Sequence, residues 1–533
     1  MEGRHFAILF VLFIAISFYV MGWQTADLVY YGFRSFLRMA ASYVISIISM
    51  VVLALLITHN RRLSALLFPI LDVLQAVPVL GFLPFAILFF VHVFPGGIVG
   101  QELSSVFLIV TGMAWALGFA IIESINYITG DMRDLAKMLD LRGFRYLTEL
   151  VFPAALPQFV SSSMTAWGGG WYFLVASEYI SMGTENIQLP GLGSFIAQSA
   201  FSYNMAHSLI GLAMLAFIVF GMNIFMWQPL LKKSRGQLEK SEENFVVRLL
   251  ERIYGAFGSL ARRFQGRSVR LMESLSIGPD YSWKGAGQNV EKFSYVLLAG
   301  VFLLFGYILV FRLPEYLKNG LILQYMFASV ARMIAGYAIA LVWTCLVAIF
   351  LARNKKAMGA LMPFFDLGQS IPAISVFPIV VIVVVQTIGG QIGLNVASIL
   401  LLLTGMQWYF LFNLIRAVQT IPEEIFDLSA ILSLKSADKL RHIMVPALLP
   451  AIFIASVESL GGGWNASIVS EYIVGPNGQP FQMPGLGYLL SSSSAAANMD
   501  GILLAVSSIM IIVLTLNYLV WKPLIRGSDR YKF

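Results

Sequence analysis

The sequence predicts an all-α polytopic membrane protein of about twelve transmembrane helices, arranged as two homologous six-helix halves. Hydrophobic residues make up 58% of the 533 residues and charged residues only 12%, a balance that an ordinary soluble core does not have. Apolar runs of roughly 20 residues, enough to cross about 30 Å of hydrocarbon, recur along the chain. Most of the chain also repeats itself at an offset of 293 or 294 residues.

The apolar runs place six helices in each half. The first six are predicted at residues 6–22, 36–58, 66–92, 104–127, 151–176 and 208–227. The second six are predicted at residues 294–311, 329–351, 360–386, 392–416, 445–470 and 501–521. The first run resembles a signal peptide, but no small-residue cleavage pattern follows Val20, and residues 294–311 occupy the same place in the second half. We therefore predict helices at both places.

The repeat is visible in several motifs at a nearly constant offset. "WGGGWYFLVASEYI" begins at Trp167 and "LGGGWNASIVSEYI" at Leu460, an offset of 293, while "RMAASY" at Arg38 and "RMIAGY" at Arg332 differ by 294. Six spans per half give both copies the same topology. The halves are then related by an axis along the membrane normal, and a transport pathway is expected at their interface.

Orientation follows from the distribution of Lys and Arg, which are enriched in short cytoplasmic loops. The loops after the second and fourth predicted helices of each half carry these residues, whereas residues 179–207 and 472–500 contain none. The Lys- and Arg-free stretches are therefore predicted outside, and both termini are predicted in the cytoplasm.

A basic segment separates the halves, so the chain divides into residues 1–230, 231–293 and 294–533. The middle segment holds 12 of the 35 Lys and Arg and 7 of the 28 Asp and Glu. Apolar residues recur in it at helical spacing, at Val246, Leu249, Leu250, Ile253, Phe257, Leu260 and Phe264. This spacing favours an amphipathic helix on the anionic inner leaflet, with a plain tether as the alternative.

The predicted cytoplasmic loops between the fourth and fifth helices carry the most specific motif. They read "DMRDLAKMLDLRGFRYLTELVFPAALP" from Asp131 and "EIFDLSAILSLKSADKLRHIMVPALLP" from Glu424. Both resemble the EAA loop in permease subunits of ATP-binding-cassette (ABC) importers. Apart from its linker, the chain resembles two fused copies of the nitrate/sulfonate/taurine branch of that family, which implies a type I importer permease fold in a prokaryotic inner membrane.

In that family the loop forms a short coupling helix that docks on the ATPase. The resemblance assigns this role to Asp134, Leu135, Ala136, Asp140 and Gly143, and to Asp427, Leu428, Ser429, Ser433 and Ser436. Asp134 and Asp427 keep the family's acidic position. Asp140 and Ser433 stand where the family usually has a glycine, which permits a tight bend.

The fifth helix of each half contains the candidate pathway residues. They are Gly168, Gly169, Gly170, Trp171, Glu178, Glu458, Gly461, Gly462, Gly463, Trp464 and Glu471. The glycines predict either a break that lines the pathway or close helix packing, and the two Trp residues are candidates to line a cavity. Glu178 and Glu471 lie near the outer helix ends, where bonding to the following loop is the alternative to contact with solute. Glu458 has no acidic counterpart, because Thr165 occupies its place in the first half.

The resemblance also implies partners and a solute class. It predicts two ABC ATPase subunits at the loops, an external solute-binding protein, and a small anion such as nitrate, bicarbonate or a sulfonate as solute. The chain itself is predicted to be no enzyme and to bind no cofactor or metal, with ATP and Mg in the partner ATPase, because it contains no G-x-x-x-x-G-K-[ST] loop. Apart from the bilayer no other partner is predicted, and nucleic acid is not expected. An ion-coupled secondary transporter is the alternative class.

Overall fold

The structure is a computed structural model that describes residues 3–59, 78–95, 98–126, 130–139, 150, 152–182, 185–234, 236, 296, 299–352, 354–474 and 480–528. The predicted amphipathic helix of the linker, Asp140 and Gly143 lie outside these residues. Side chains are described for most of the rest, although not for Leu428 or Ser436.

Eight helices lie in the described residues of the first half. They are α1 (Gly3–Met21), α2 (Gln24–His59), α3 (Leu83–Val93), α4 (Ile98–Asn126), α5 (Gly130–Met138), α6 (Phe152–Glu178), α7 (Leu192–Phe201) and α8 (Met205–Ser234). A 3-10 turn, Val79–Phe82, leads into α3, and a π-helical turn, Asn223–Trp227, interrupts α8. The short helix α7 follows an outer loop and lies between the fifth and sixth spans.

The second half repeats this order and has additional helices among its described residues. Its helices are α9 (Ala299–Arg312), α10 (Pro314–Lys318), α11 (Leu321–Ala352), α12 (Lys355–Ser370), α13 (Ala373–Ile388), α14 (Gly390–Gln419), α15 (Glu423–Ile431), α16 (Val445–Ser470), α17 (Leu486–Ala495) and α18 (Met499–Ser528). A π-helical turn, Leu440–Met444, leads into α16.

Seven helices in the described residues are long and apolar enough to cross a membrane, and five shorter apolar helices accompany them. The structure corrects two predicted spans. The helix predicted at 360–386 is two helices, α12 and α13, because the chain bends at Ile371 and Pro372, as a residue before proline favours. Helix α2 begins at Gln24 instead of residue 36, so polar residues that read as a loop belong to its first turns.

One short β-hairpin follows the fifth span of each half, a detail that the all-α prediction did not include. Strands β1 (Tyr179–Met182) and β2 (Glu185–Gln188) pair antiparallel, with Tyr179 opposite Gln188. Strands β3 (Tyr472–Val474) and β4 (Pro480–Gln482) pair in the same way. Each hairpin leads to α7 or α17 and fixes where that helix begins.

The two halves pack against each other through the helices of their third and fifth spans, which are α3 and α6 in the first half and α13 and α16 in the second. Helix α13 of the second half packs against α6, α7 and α8 of the first half. In return, the turn that begins α3 packs against α16, where the backbone N–H of Leu80 donates to Asn465 Oδ1 at 3.0 Å. Within each half the fifth helix packs most closely on the fourth, as α6 on α4 and α16 on α14. The fifth helices therefore lie beside the boundary between the halves.

Candidate solute pathway and coupling surface

Glu178 ends α6 and binds the loop that follows it. Its side chain is fully buried, and its carboxylate accepts hydrogen bonds from Ser35 Oγ at 2.6 Å, from the backbone N–H of Gly193 at 2.7 Å and from the Arg38 guanidinium. Ser35 Oγ in turn accepts from the N–H of Leu192. The first N–H groups of α7 thus find acceptors on α2 and α6, which ties the outer loop to the membrane helices.

Arg38 extends this cluster toward α4. Its Nε donates to Glu102 Oε2 at 2.7 Å, and Arg34 Nη2 lies 2.5 Å from Glu102 Oε1. Two guanidinium groups and two carboxylates therefore share one network, with Glu178 as its buried end. The network is charge-balanced, as a cluster buried at the end of a membrane helix needs to be.

The second half builds the same arrangement around Glu471. This fully buried carboxylate accepts from Ser329 Oγ, from Arg332 Nη2 and from the N–H of Gly487, each at 2.7 Å. Arg332 Nη2 also donates to the carbonyl oxygen of Pro484 at 2.6 Å. The carboxylate at the end of each fifth helix therefore binds the following loop, which is one of the two roles that the sequence left open.

The two clusters differ in two residues. Asn395 of α14 stands where the first half has Glu102 of α4, and Ala328 of α11 stands where it has Arg34 of α2. Arg332 Nη1 donates to Asn395 Oδ1 at 3.1 Å. One cation and one anion are missing together, so the cluster stays neutral. Arg38 and the two serines were not predicted as site residues, although an Arg kept at the same place in two apolar repeats was the signal that indicates them.

The three-glycine motifs do not break their helices, so the break considered from the sequence is absent. Helices α6 and α16 run without interruption through Gly168–Gly170 and Gly461–Gly463. The third glycine of each motif faces the methionines of neighbouring helices, because a Cβ on Gly170 or Gly463 would meet a methionine side chain from the second span and one from the fourth. These glycines serve close helix packing.

The middle glycine differs between the halves. A Cβ on Gly462 would lie 2.5 Å from the carbonyl oxygen of Gly405 on α14, so the two helix backbones touch there. A Cβ on Gly169, in the same place in the first half, would meet nothing within 4 Å, and the same is true of the first glycines, Gly168 and Gly461. Open space therefore adjoins both fifth helices beside their packed faces.

The two tryptophans do not line this space. Trp171 and Trp464 are 0% and 1% exposed and belong to the hydrophobic core, so the prediction that they line a cavity is wrong for this conformation. They follow the packed glycine of each motif and fill the adjoining interior, where large aromatic side chains contribute most.

Glu458 is the one candidate pathway acid outside the two clusters. It is exposed, and its Oε2 accepts a hydrogen bond from Asn413 Nδ2 of α14 at 2.9 Å. Asn465, seven residues further along α16, bonds to Leu80 of the other half. Residues seven apart lie on one face of a helix, so Glu458 lies on the side of α16 that faces the first half.

At the predicted cytoplasmic side, α5 and α15 carry the family's acidic position on their surface. Asp134 is 74% exposed at its side chain and lies 3.8 Å from Lys137, and Asp427 is exposed on α15. Ala136 and Ser429, two residues further on, are buried. Each helix therefore packs through one face and presents its acid on another.

Both short helices also expose apolar side chains. Those of the first loop are Met132, Leu135, Met138 and Leu139, and those of the second are Ile431 and Leu432. The exposure of Met138 reaches 84%. Exposed apolar side chains on a polar loop are typical of a surface that contacts another protein or the membrane.

Ser433 ends α15 in a left-handed conformation with φ of 49°. It occupies the position where the family usually has a glycine, so the bend that a glycine would permit is present although the residue is not glycine. Left-handed backbone is unfavourable for residues with a Cβ.

The chain has two matched halves of six spans each, polar groups in the membrane-embedded part of their interface, and two matched loops with exposed apolar side chains. These features define an integral-membrane transport component. The family described as "Binding-protein-dependent transport system inner membrane component" matches residues 50–227 and 340–521. The chain belongs to this family and contains its domain twice.

Similar proteins include two permeases from cyanobacteria and one from a different bacterium. The chain is 27% identical to the bicarbonate transport system permease protein CmpB of Synechococcus elongatus over 35% of its own length and 60% of that protein. It is 23% identical to the nitrate import permease protein NrtB of Leptolyngbya laminosa over 36% and 64%. The riboflavin transport system permease protein RibX of Chloroflexus aurantiacus is 24% identical over 39% and 72%. The match thus spans less than two thirds of the bicarbonate and nitrate proteins.

Proposed function

We propose that this chain supplies both transmembrane subunits of an ABC importer in one polypeptide. The solute crosses between the two halves, beside α6 and α16, and separate ATPase subunits drive the transport from the cytoplasmic side. Both termini then lie in the cytoplasm, and the Lys- and Arg-free outer loops face a solute-binding protein.

The observation that carries this proposal is the duplicated coupling surface. Helices α5 and α15 each present an exposed acid, Asp134 or Asp427, beside exposed apolar side chains. A chain that transported solute alone would gain nothing from two such surfaces, because exposed apolar side chains favour association. Two matched copies fit two ATPase subunits.

The solute is proposed to be a small anion. This rests on the bicarbonate and nitrate permeases among the similar proteins. The loop clusters around Glu178 and Glu471 hold no spare cation, since each is charge-balanced within the chain. We therefore expect the anion to bind to groups nearer the middle of the membrane.

The experiment that tests the coupling surface is a double charge reversal. Asp134→Lys combined with Asp427→Lys places a cation on each docking face, and both side chains point away from the protein interior. We expect ATP-dependent uptake of labelled bicarbonate or nitrate and co-purification of the ATPase to fall together, by about 10-fold or more, while the thermal stability of the detergent-purified chain is unchanged.

A matched control is Asp27→Lys, an exposed acid in the first turn of α2, which is expected to leave uptake intact. Wild-type uptake by the double variant would contradict the coupling role. Uptake by the purified chain without any ATPase, driven by an ion gradient, would favour the secondary transporter.

A further inference from the structure

The carboxylate of Glu458 lies deep in the membrane-spanning part of α16. It is 13 residues from Val445 and 12 from Ser470, which places it roughly 20 Å along the helix from either end. A charged side chain at this depth is costly and normally serves a function. The first half carries Thr165 at the equivalent position, so the protein holds this acid once.

Glu458 differs from the two repeated acids, Glu178 and Glu471, in the number of hydrogen bonds that its carboxylate accepts. Glu178 and Glu471 are fully buried, and each accepts hydrogen bonds from three donors. Within the described part of the chain, Glu458 accepts one hydrogen bond, from Asn413, and forms no ion pair within 4.0 Å. A carboxylate offers about four acceptor positions, so most of the acceptor capacity of Glu458 remains open.

This open capacity faces the boundary between the halves. Glu458, Gly461 and Asn465 follow one another on one face of α16, and that face contacts the first half through Asn465 and Leu80. Gly461, between the other two, adjoins open space. The Glu458 side chain is exposed beside that space.

Helix α14 supplies the rest of the surroundings. Tyr409, Asn413 and Arg416 lie on one of its faces, at spacings of four and three residues. Arg416 Nη2 donates to Asn413 Oδ1 at 3.5 Å, and Asn413 Nδ2 donates to Glu458 Oε2 at 2.9 Å, so Asn413 links the guanidinium to the carboxylate. A cation, a carboxylate and a neutral donor thus lie together. The first half has Ala116, Ala120 and Glu123 at the positions equivalent to Tyr409, Asn413 and Arg416, so it does not repeat this group.

Resting on the proposed function, we propose that Glu458 is a solute-contacting specificity residue that selects anions carrying their own hydrogen-bond donor, an O–H or N–H group. The carboxylate of Glu458 accepts from that donor, and Arg416 attracts the acidic group of the same solute. An oxyanion without a donor meets only repulsion from Glu458, because a carboxylate cannot donate.

The size of the preference for donor-bearing solutes follows from the cost of leaving a polar group in the site without its hydrogen bond. A site built to bond an O–H or N–H group rejects an analogue that lacks it far more strongly than an apolar pocket rejects a missing methylene. The selection here is expected to reach at least about 10-fold in uptake rate at equal concentration.

The test compares solutes of matched shape and charge that differ in the donor. ATP-dependent uptake is measured in membrane vesicles that contain the full transporter, with 2-hydroxyethanesulfonate against ethanesulfonate and bicarbonate against nitrate. We expect the wild-type protein to favour the donor-bearing member of each pair that it carries. Glu458→Gln should reduce that preference by about 10-fold or more without lowering the transport of the donor-free member.

A second variant and a control keep the result interpretable. Glu458→Thr copies the residue of the first half and should remove the preference even if Gln proves poorly tolerated. Glu315→Gln, an exposed acid on the short helix α10, makes the same chemical change outside the pathway and should leave the preference unchanged.

The outcomes distinguish failure of this inference alone from failure of the proposed function. Unchanged preference in both Glu458 variants, or a wild-type protein that carries nitrate and ethanesulfonate as well as their partners, would overturn the specificity role alone. ATP-dependent uptake of none of the four solutes would overturn the anion assignment and the inference together. Loss of all uptake in both variants, with normal amounts of folded protein, would show that Glu458 serves transport without selecting for donors.

Discussion

Arg332 and Glu471 form a buried pair at 2.7 Å, and the same guanidinium nitrogen reaches the carbonyl oxygen of Pro484 at 2.6 Å. One side chain of α11 therefore binds both the end of α16 and the segment directly before α17. Because Gly487 N–H also donates to Glu471, three segments depend on a single carboxylate.

Removal of one partner of this pair should destabilise the protein more than removal of both charges. Arg332→Leu leaves a buried carboxylate without its cation, a change that costs about 3–5 kcal/mol in comparable sites. Combining it with Glu471→Gln removes the charge but keeps an acceptor for Gly487 N–H, so we expect the cost to fall by about 1 kcal/mol or more. Thermal unfolding in detergent, followed by tryptophan fluorescence, measures both. A double variant less stable than Arg332→Leu would contradict the assignment.

The charge difference between the two clusters predicts a compensating exchange. Asn395→Glu introduces the carboxylate of Glu102 without the cation that Arg34 provides, so a second anion then competes for Arg332. We expect a loss of about 1 kcal/mol, recovered when Ala328→Arg is added. The stability of the two single variants and the double variant forms a double-mutant cycle. Additive effects would show that the pair is not coupled.

The middle glycines predict opposite responses to the same substitution. Gly462→Ala places a methyl group 2.5 Å from the carbonyl oxygen of Gly405, and overpacking of this kind costs about 1–3 kcal/mol. Gly169→Ala meets nothing within 4 Å and should be neutral or stabilise by up to about 1 kcal/mol, since Ala favours helix. The thermal unfolding midpoints of the two variants, each compared with the wild-type protein, test these opposite effects. Equal effects would mean that helix propensity alone controls both positions.

The left-handed backbone at Ser433 predicts a stabilising substitution. With φ of 49°, Ser433→Gly removes an unfavourable Cβ and should stabilise the loop by about 1 kcal/mol, seen as slower proteolysis at this loop. Ala497→Gly, at φ of 51° in an outer loop, is the matched control and should protect only its own loop. Faster cleavage after Ser433→Gly would show that the greater freedom of the unfolded chain outweighs the strain.

The sequence predicted the features that come from local pattern. Helix positions followed from apolar length, and the pairing of the halves followed from the constant offset between motifs. The loop-binding role of Glu178 was among its alternatives, because the distance of that residue from the start of its helix is a matter of chain length.

Features that depend on contacts between distant segments were missed or left open. Arg38 lies 140 residues from Glu178, and nothing local to either residue indicates the other. The choice between a broken helix and a packed one at Gly462 depends on the approach of Gly405, which belongs to a different helix. The bend at Ile371 was not predicted, although the polar residues Gln369 and Ser370 before it and the proline after it were visible.

The hydrogen bond between Leu80 and Asn465 joins positions whose repeat partners, Ile374 and Tyr172, are of other types. In a dimer of identical subunits, every residue beside the symmetry axis is present twice, so a membrane-embedded acid such as Glu458 would face its own copy and be repelled by it. Joining the two halves in one chain allows an odd number of charges at the boundary. The two sides of the boundary are thus free to recognise different ends of one solute.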